Sequence, residues 1–526
     1  MFISKCKLYF HSVRYMKPIQ IFWKIWLKLS RTYLNHFVRK VKPIPHFRIP
    51  VLQEQINFLQ NIHGYSIFNE SVDLSKINWK LNKDDALFQY HLHYHDYLSN
   101  LDKESGLKIT HDWIEKNPPS LSVAWDPYTI SLRVVNWVKF ISRFHINDSE
   151  IINSLFLQGI WLFYQREYHL LANHFFKNIV ALLYLGFVFK NRCWSKWANK
   201  NLLKQISEQL TNESYHFEFS PTYHALFVKD LLDVYNLLIN NEKKDSNLTQ
   251  NISDKIEDGL FWLFYYSKNE KYFQINDVNY EGCPKPSYLR KYASKLGIKE
   301  EINISSSISQ YYPKLESGDL RIMMYCAPIS PYYNPAHSHA DMLSILLWYN
   351  NEEILVDTGN YDYEESDDRR YARSTSAHNT IVIDGKNQCD LWKVFRVGRR
   401  GKLFDKDFRE DYLQCSHDSY KKFNLLHTRR IEKTNKGFII QDLLKGKGCH
   451  KFEMLFHFSP EVNIKVKGEE YFMINKNLMF KFSHGEISII DTSYFPELFI
   501  KKEKQTVRIY GEFKNKITLK TKISEI

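Results

Sequence analysis

Near residue 300 the hydrophobic period of this chain changes once and does not change back. From about residue 85 to 300, apolar side chains recur at i, i+3, i+4 and i+7. SLRVVNWVKFISRF (131–144), WLFYQREYHLLANHFFKNIVALLYLGFVF (161–189) and HALFVKDLLDVYNLLI (224–239) are examples, and this is the period of helices that bury one face. From about 310 the apolar runs shorten to SILLWYN, EILVDTG, NTIVIDG, GFIIQDLL and EISIIDT. These alternate or are β-branched, with Gly, Asn and Asp between them, as antiparallel strands require. Two textures in separate blocks predict a helical domain followed by a β domain. With 526 residues the chain is also too long for one ordinary core.

Long helices with short loops and no fixed-period repeat predict stacked helical pairs, either a bundle or a closed (α/α) toroid. The β half predicts a sandwich of two sheets. The switch lies in KLGIKEEINISSSIS (295–309), giving an N-terminal arm at 1–50, a helical domain at 51–305 and a β domain at 306–526.

Charge separates the arm from the rest. Residues 1–50 hold eleven Lys or Arg and no Asp or Glu, so eleven of the thirteen net positive charges lie there. The near-neutral body argues against a general nucleic-acid binder. KPIQIFWKIWLKLS (17–30) has an amphipathic helical pattern with Lys24 and Lys28 on one face. It suits either an anionic membrane or polymer surface, or an arm wrapped on the protein's own body. The two prolines of KPIPHFRIP (42–50) end it. No stretch reaches the roughly 18–20 apolar residues of a membrane span, and Ile179–Phe189 reads as a buried helix. No apolar run followed by a small-residue cleavage site marks an export signal. Seven cysteines without a CxxC or regular spacing favour neither a disulfide framework nor a cysteine zinc site. The aromatic content, 16%, serves either a large core or sugar stacking.

The densest chemistry lies in residues 334–400, where His337, His339, Asp341, Asp357 and His378 stand between short apolar runs. Asn350-Asn351-Glu352-Glu353 marks a hairpin. His339, Asp357 and His378 form a two-imidazole, one-carboxylate set suited to Zn²⁺. Hairpin arithmetic pairs His339 with about residue 364 instead of Asp357, so convergence requires a bend or bulge. His337, two residues from His339, shares its face in a strand; beside a metal, one of the two would bind it and the other stay free for proton transfer. There is no GxGxxG, P-loop or GxSxG.

Three polar clusters interrupt the helical half: His91, His93 and His95 in FQYHLHYHDYL, Asn173 and His174 in ANHFF, and Tyr223 and His224 in FEFSPTYHALF. Taken singly, each reads more readily as a satisfied core group than as a site. Ser220 is a natural N-cap and Pro221 a natural first helical residue, which puts Tyr223 in the first turn. The positive end of the helix is expected to favour its phenolate.

Together, HSHADMLS, ILVDTGNY, RRYARSTSAHNTIVIDG and WKVFRVGRR resemble the C-terminal region of heparinase II/III-like polysaccharide lyases. WDPYTISLRVVNW (125–137), ANHFFKN (172–178) and SPTYH (220–224) resemble that family's helical region, so the likeness runs from roughly residue 85 to 410. It implies an incomplete (α/α) toroid followed by an antiparallel β-sandwich, with the active site between them. It implies β-elimination on a uronic-acid-containing polysaccharide, leaving a 4,5-unsaturated sugar. By motif, Asn173 with His174 would stabilise the charge on the uronate carboxylate. Tyr223 would be the general acid, with a share in the base role left open. His337 would be the base or a carboxylate neutraliser, depending on the C5 configuration. His339, Asp357 and His378 would hold a structural divalent metal, zinc by donor set. Tyr361, Tyr363, Tyr371, Arg373 and Arg396 are candidates for substrate contact.

Two features depart from the family pattern. The family implies the periplasm or cell envelope, but the basic arm stands where an export signal is expected. A body this weakly basic also suits a lightly sulfated or unsulfated acidic polysaccharide, such as a capsule or exopolysaccharide, better than a heavily sulfated one. A non-catalytic polysaccharide-binding or assembly protein and a metal-dependent glycan hydrolase are the competing readings.

Overall fold

The computed structural model describes residues 2–38, 41, 46–53, 65–68, 70–80, 86–241, 246–299, 308–466, 471–474 and 477–526. Residues 42–45 of the expected arm terminus and 300–307 of the expected domain junction lie outside the described residues.

The helical half contains α1 (Phe2–Val13), α2 (Pro18–Val38), α3 (Ala86–Leu92), α4 (Lys103–Lys116), α5 (Pro127–Arg143) and α6 (Ser149–Tyr164). It continues with α7 (Ala172–Val188), α8 (Arg192–Gln209), α9 (Pro221–Asn241), α10 (Asn247–Tyr265) and α11 (Pro286–Lys295). The sequence sets their starts. Asp126 caps α5 by accepting from Tyr128 N, Asp148 caps α6 and Asn191 caps α8. These side chains satisfy backbone N–H groups that a first turn leaves without partners. α7 is the central helix, packed on α5, α6, α8 and α9. The apolar run Ile179–Phe189 is buried, as expected. Within α7 only Asn173 and His174 at its N-terminus escape full burial.

The named strands of the β half pair antiparallel, with one isolated parallel bridge between Gly359 and Phe495 among the described residues. One sheet has the order 314–317, 320–324, 345–349, 352–355. The larger sheet is built on two long strands, Gly437–His457 and Ile500–Glu525, paired along most of their length. Leu320, Ile322 and Leu347 of the small sheet share one core with Ile431, Phe438 and Ile440 of the large one, which makes the two sheets a sandwich. The expected hairpin is present: Asn350 and Asn351 both have positive φ, 47° and 67°, as a two-residue turn between twisted strands demands. A short helix, α12 (Asp367–Arg373), interrupts the strands.

The arm is a strap across both halves. The Trp23 ring lies 4.7 Å from that of Tyr168, and Lys17 pairs with Glu208, both in the helical half. Tyr9 packs on Trp392 at 4.8 Å, and Trp392 Nε1 donates to Ser12 Oγ at 3.0 Å, on the β side.

Candidate active site

A cavity of about 410 Å³ opens between the halves. α3, α5, α7 and α9 wall one side, and the segments carrying Asn279, His337, Tyr363 and Phe395 wall the other. Asn173, His174, Tyr223, His337 and Tyr363 all line it. Five residues spread over 190 positions of sequence therefore meet at one surface.

The chain enters α7 through two residues in the left-handed half of backbone space, Leu171 (φ 60°) and Ala172 (φ 51°). Strain at non-glycine positions costs roughly 1–3 kcal/mol each and collects at functional sites. Here it turns Asn173 and His174 into the cavity. Asn173 Nδ2 donates to both oxygens of Glu218 at 3.1 Å. Burial pushes the Glu218 carboxyl above its usual range, against the pull of His337 and of the Asn173 amide. His174 Nδ1 meets Glu167 Oε1 at 2.9 Å, and Glu167 is steadied in turn by Asn178 Nδ2 at 2.9 Å. Burial works against the His174 imidazolium, but the charge and hydrogen bond of Glu167 outweigh it and raise the pKa.

Tyr223 lies in the first turn of α9 as expected, with Ser220 Oγ accepting from Tyr223 N at 3.4 Å. Its protonation is not as expected. Burial first, then the neighbouring Tyr363 and the Asp277 carboxylate, raise the phenol well above its ordinary pKa. Desolvation and nearby negative charge outweigh the helix end, and Tyr223 carries its proton. Its ring stacks on His337, 4.0 Å between centroids.

His337 is oriented by a residue the sequence reading did not select. Asp277, fully buried, takes His337 Nδ1 on one oxygen at 2.9 Å and His339 Nε2 on the other at 2.8 Å. Arg369 binds the same carboxylate through both terminal nitrogens. Burial alone would raise the Asp277 pKa. The Arg369 charge and the hydrogen bonds from both histidines and Arg369 instead hold it well below the usual carboxylate range. An ionised Asp277 fixes the proton of His337 on Nδ1 and leaves Nε2 as the basic nitrogen. Asn276 adds a backbone clamp, its Oδ1 accepting from His339 N at 2.9 Å. No sequence signal singles out this pair: Phe273–Val278 carries three polar residues, Gln274, Asn276 and Asp277, in six positions.

His339, Asp357 and His378 converge, with candidate ligand atoms all within 4.8 Å of one another. The bend that strand arithmetic lacked is Leu343, at φ 61°, reinforced by a register shift between Leu347 and Trp348. The donor set fits a metal. His378 Nδ1 is held by Asp357 Oδ2 at 2.7 Å and His339 Nε2 by Asp277. The remaining nitrogens, His378 Nε2 and His339 Nδ1, are buried with no hydrogen-bond partner. One ring nitrogen on a carboxylate and the other free is the usual state of a metal-binding histidine.

The other candidates divide. Tyr363 reaches the cavity, while Tyr361, Tyr371, Arg373 and Arg396 do not line it. Tyr361 packs on Phe495 at 5.3 Å, and the Tyr371 ring faces the same Phe495 at 6.5 Å. Arg373 is buried and donates to the carbonyls of Ser338 and Val394 (3.1 and 2.6 Å), so its fork is occupied in holding two loops. Arg396 is exposed on a two-residue strand. In the helical half, His93 and His95 accept from the indoles of Trp113 and Trp137, each at 3.0 Å. His224 Nε2 lies 2.9 Å from the Gly259 carbonyl. His93 and His224 are satisfied core groups, whereas His95 keeps a buried Nε2 without a hydrogen-bond partner.

Two family models cover most of the chain: heparinase II/III N-terminus over residues 51–280 and heparinase II/III-like, C-terminal, over 310–522. This protein belongs to the heparinase II/III-like family. Among its relatives, a heparin-sulfate lyase of Bacteroides stercoris is 22% identical over 456 residues, covering 72% of this chain and 65% of that protein. Another, from Pedobacter heparinus, is 23% identical over 428 residues, covering 72% of this chain and 62% of that protein. The chain thus spans less than two thirds of the length of either relative. A solved heparinase III structure superposes with a TM-score of 0.67 at 15% identity, covering 98% of this chain and 93% of that one. The heparan sulfate lyase structure from Pedobacter heparinus gives 0.56 at 17%, covering 94% and 87%. Helical half, antiparallel half and their order are therefore shared across the family fold.

Proposed function

We propose that this protein is a polysaccharide lyase that cleaves a uronic-acid-containing chain by β-elimination. The observation that carries the reading is the stacked pair of Tyr223 and His337 at the cavity. One holds a proton to give and the other has a basic nitrogen fixed by Asp277. The likeness to heparin-sulfate lyases in both halves supports it, with the helical half taken as an incomplete (α/α) toroid.

In this mechanism the uronate carboxylate lies against Asn173 and His174. The His174 imidazolium, favoured by Glu167, draws off carboxylate charge and makes the C5 proton acidic enough to remove. His337 Nε2 takes that proton. The electron pair of the broken C5–H bond forms the C4–C5 double bond, the C4–O bond breaks, and the leaving oxygen takes the Tyr223 proton. No water is consumed. A divalent metal, zinc by donor set, would be held by His339, Asp357 and His378 and would supply a cross-link between their loops. All three are buried and none lines the cavity, which supports a bracing role.

The cavity's own charges bear on substrate. Lys177 is paired with Asp230 at 2.6 Å and Lys229 with Asp233 at 3.3 Å, so neither lysine is spare for a sulfate. A carboxylated, lightly sulfated or unsulfated polysaccharide suits this lining. The test is a panel of uronate polysaccharides followed by ultraviolet absorbance of the new conjugated double bond. Binding without chromophore would point to a non-catalytic carrier, and new reducing ends without chromophore to a hydrolase. The polysaccharide is the partner of the cleft.

A further inference from the structure

α2 has more apolar surface than the body can cover. Its inward face, with Gln20, Trp23 and Leu27, is used in the strap: Gln20 Nε2 donates to the His169 carbonyl at 3.3 Å, and Leu27 is buried. A second stripe points away from that face, and at its far end Phe37 meets the Tyr164 ring of α6 edge-on at 6.2 Å. Phe22, Trp26, Leu29, Tyr33 and Phe37 follow one another at three- and four-residue steps, with Ile25 beside Trp26, a band along one side of the helix at 3.6 residues per turn. All six are exposed, Leu29 by 74% and Tyr33 by 76%. Lys24 and Lys28 are also exposed and lie on the flank opposite the inward face's other edge. A soluble surface rarely displays so many large apolar side chains in one row without a partner.

We propose that this stripe docks the protein in the plane of an anionic lipid surface. Aromatic and aliphatic side chains on one face, lysines beside them and no acidic residue in the first fifty positions are the composition of an interfacial helix. Among the described residues no helix is long and apolar enough to cross a bilayer, so the arm lies on the surface. Charge decides against a second copy of this chain as occupant. A dimer through the stripe would bring Lys24 and Lys28 of one arm toward those of the other, with no carboxylate in either arm to offset them. A free anionic polymer would satisfy the lysines and leave the aliphatic row in water. The arm also lies on the segments that carry Leu170 and Phe395, both of which line the cavity. Docking therefore brings the cleft close to the lipid surface.

The test is flotation of the full-length protein with phosphatidylcholine–phosphatidylglycerol vesicles and with pure phosphatidylcholine vesicles. Binding to the anionic vesicles alone is expected, weakening as salt is raised. Leu29→Ser with Tyr33→Ser should lower the vesicle affinity about tenfold or more without changing thermal unfolding, since both side chains are exposed. Lys24→Gln with Lys28→Gln should lower it severalfold at low salt. Three results would overturn the proposal: no binding to anionic vesicles, undiminished binding by the Leu29/Tyr33 variant, or concentration-dependent dimerisation abolished by the same substitutions.

Discussion

Tyr223 and His337 stack at 4.0 Å, 30° from parallel, with Tyr223 in the first turn of a helix and His337 in a loop of the β half. In the proposed mechanism acid and base therefore come from different halves. Tyr223→Phe keeps the ring and the stack and deletes the proton. Elimination should slow by about 10²–10⁴ in kcat, the usual contribution of a general acid, with little change in KM and an unchanged circular dichroism spectrum. A variant that retains full chromophore release would remove Tyr223 from the mechanism.

Asp277 holds His337, His339 and Arg369 on one fully buried carboxylate. Asp277→Asn preserves the shape and removes the charge. Arg369 is then left as a buried cation without its counter-ion, a loss on the order of 3–5 kcal/mol, read as a lower midpoint in urea unfolding. The same change frees the His337 ring to take the other tautomer, so kcat should fall about 10–100-fold beyond the loss of folded protein. Unchanged stability would mean that the Arg369 pair is not the dominant clamp.

The period change near residue 300 carried the fold, because helix and strand each impose their own spacing on buried side chains. The candidate metal-binding trio and His337 were visible because histidines rarely crowd between strands without a reason. Asn173 and Tyr223 became visible only through the resemblance, since one polar residue in an apolar helix looks the same whether it is a satisfied core group or a site. Asp277, Arg369, Glu167 and Glu218 were not legible. They act by pairing with residues far away in the chain, and a lone carboxylate in a sequence gives no sign of its partner. Arg373 misled for the complementary reason: its fork suits a carboxylate, but in the folded protein backbone carbonyls occupy it.

His378 and His339 each keep one buried, unpartnered nitrogen, in a trio with Asp357 whose candidate ligand atoms lie within 4.8 Å of one another. The purified protein should therefore contain a single divalent ion per chain by elemental mass spectrometry, zinc by donor set. His378→Ala should remove it and lower the unfolding temperature by several degrees, and chelation of the wild type should do the same. His337→Ala should retain the ion and lose elimination. Loss of the ion with stability unchanged would show that it is not a brace.

The His174–Glu167 pair sets a pH window. His174 titrates above its ordinary 6.5 in the folded protein. The stability it contributes is therefore complete below 6.5 and is lost as pH rises through the raised value. Glu167 behaves in the opposite sense. Burial would raise it, but the His174 charge and hydrogen bond bring it below its ordinary 4.5. Its contribution is complete above 4.5 and is lost as pH falls through the lowered value. The pair is fully stabilising between 4.5 and 6.5 and weakens on either side. In the proposed mechanism the imidazolium is the form that relieves the uronate carboxylate, so the alkaline limb of kcat/KM should follow His174 and lie above 6.5. Glu167→Gln removes the charge that raises it, so the limb should move to lower pH, and stability should lose part of its dependence on pH above 6.5. An alkaline limb unmoved by Glu167→Gln would assign the loss of activity to another group.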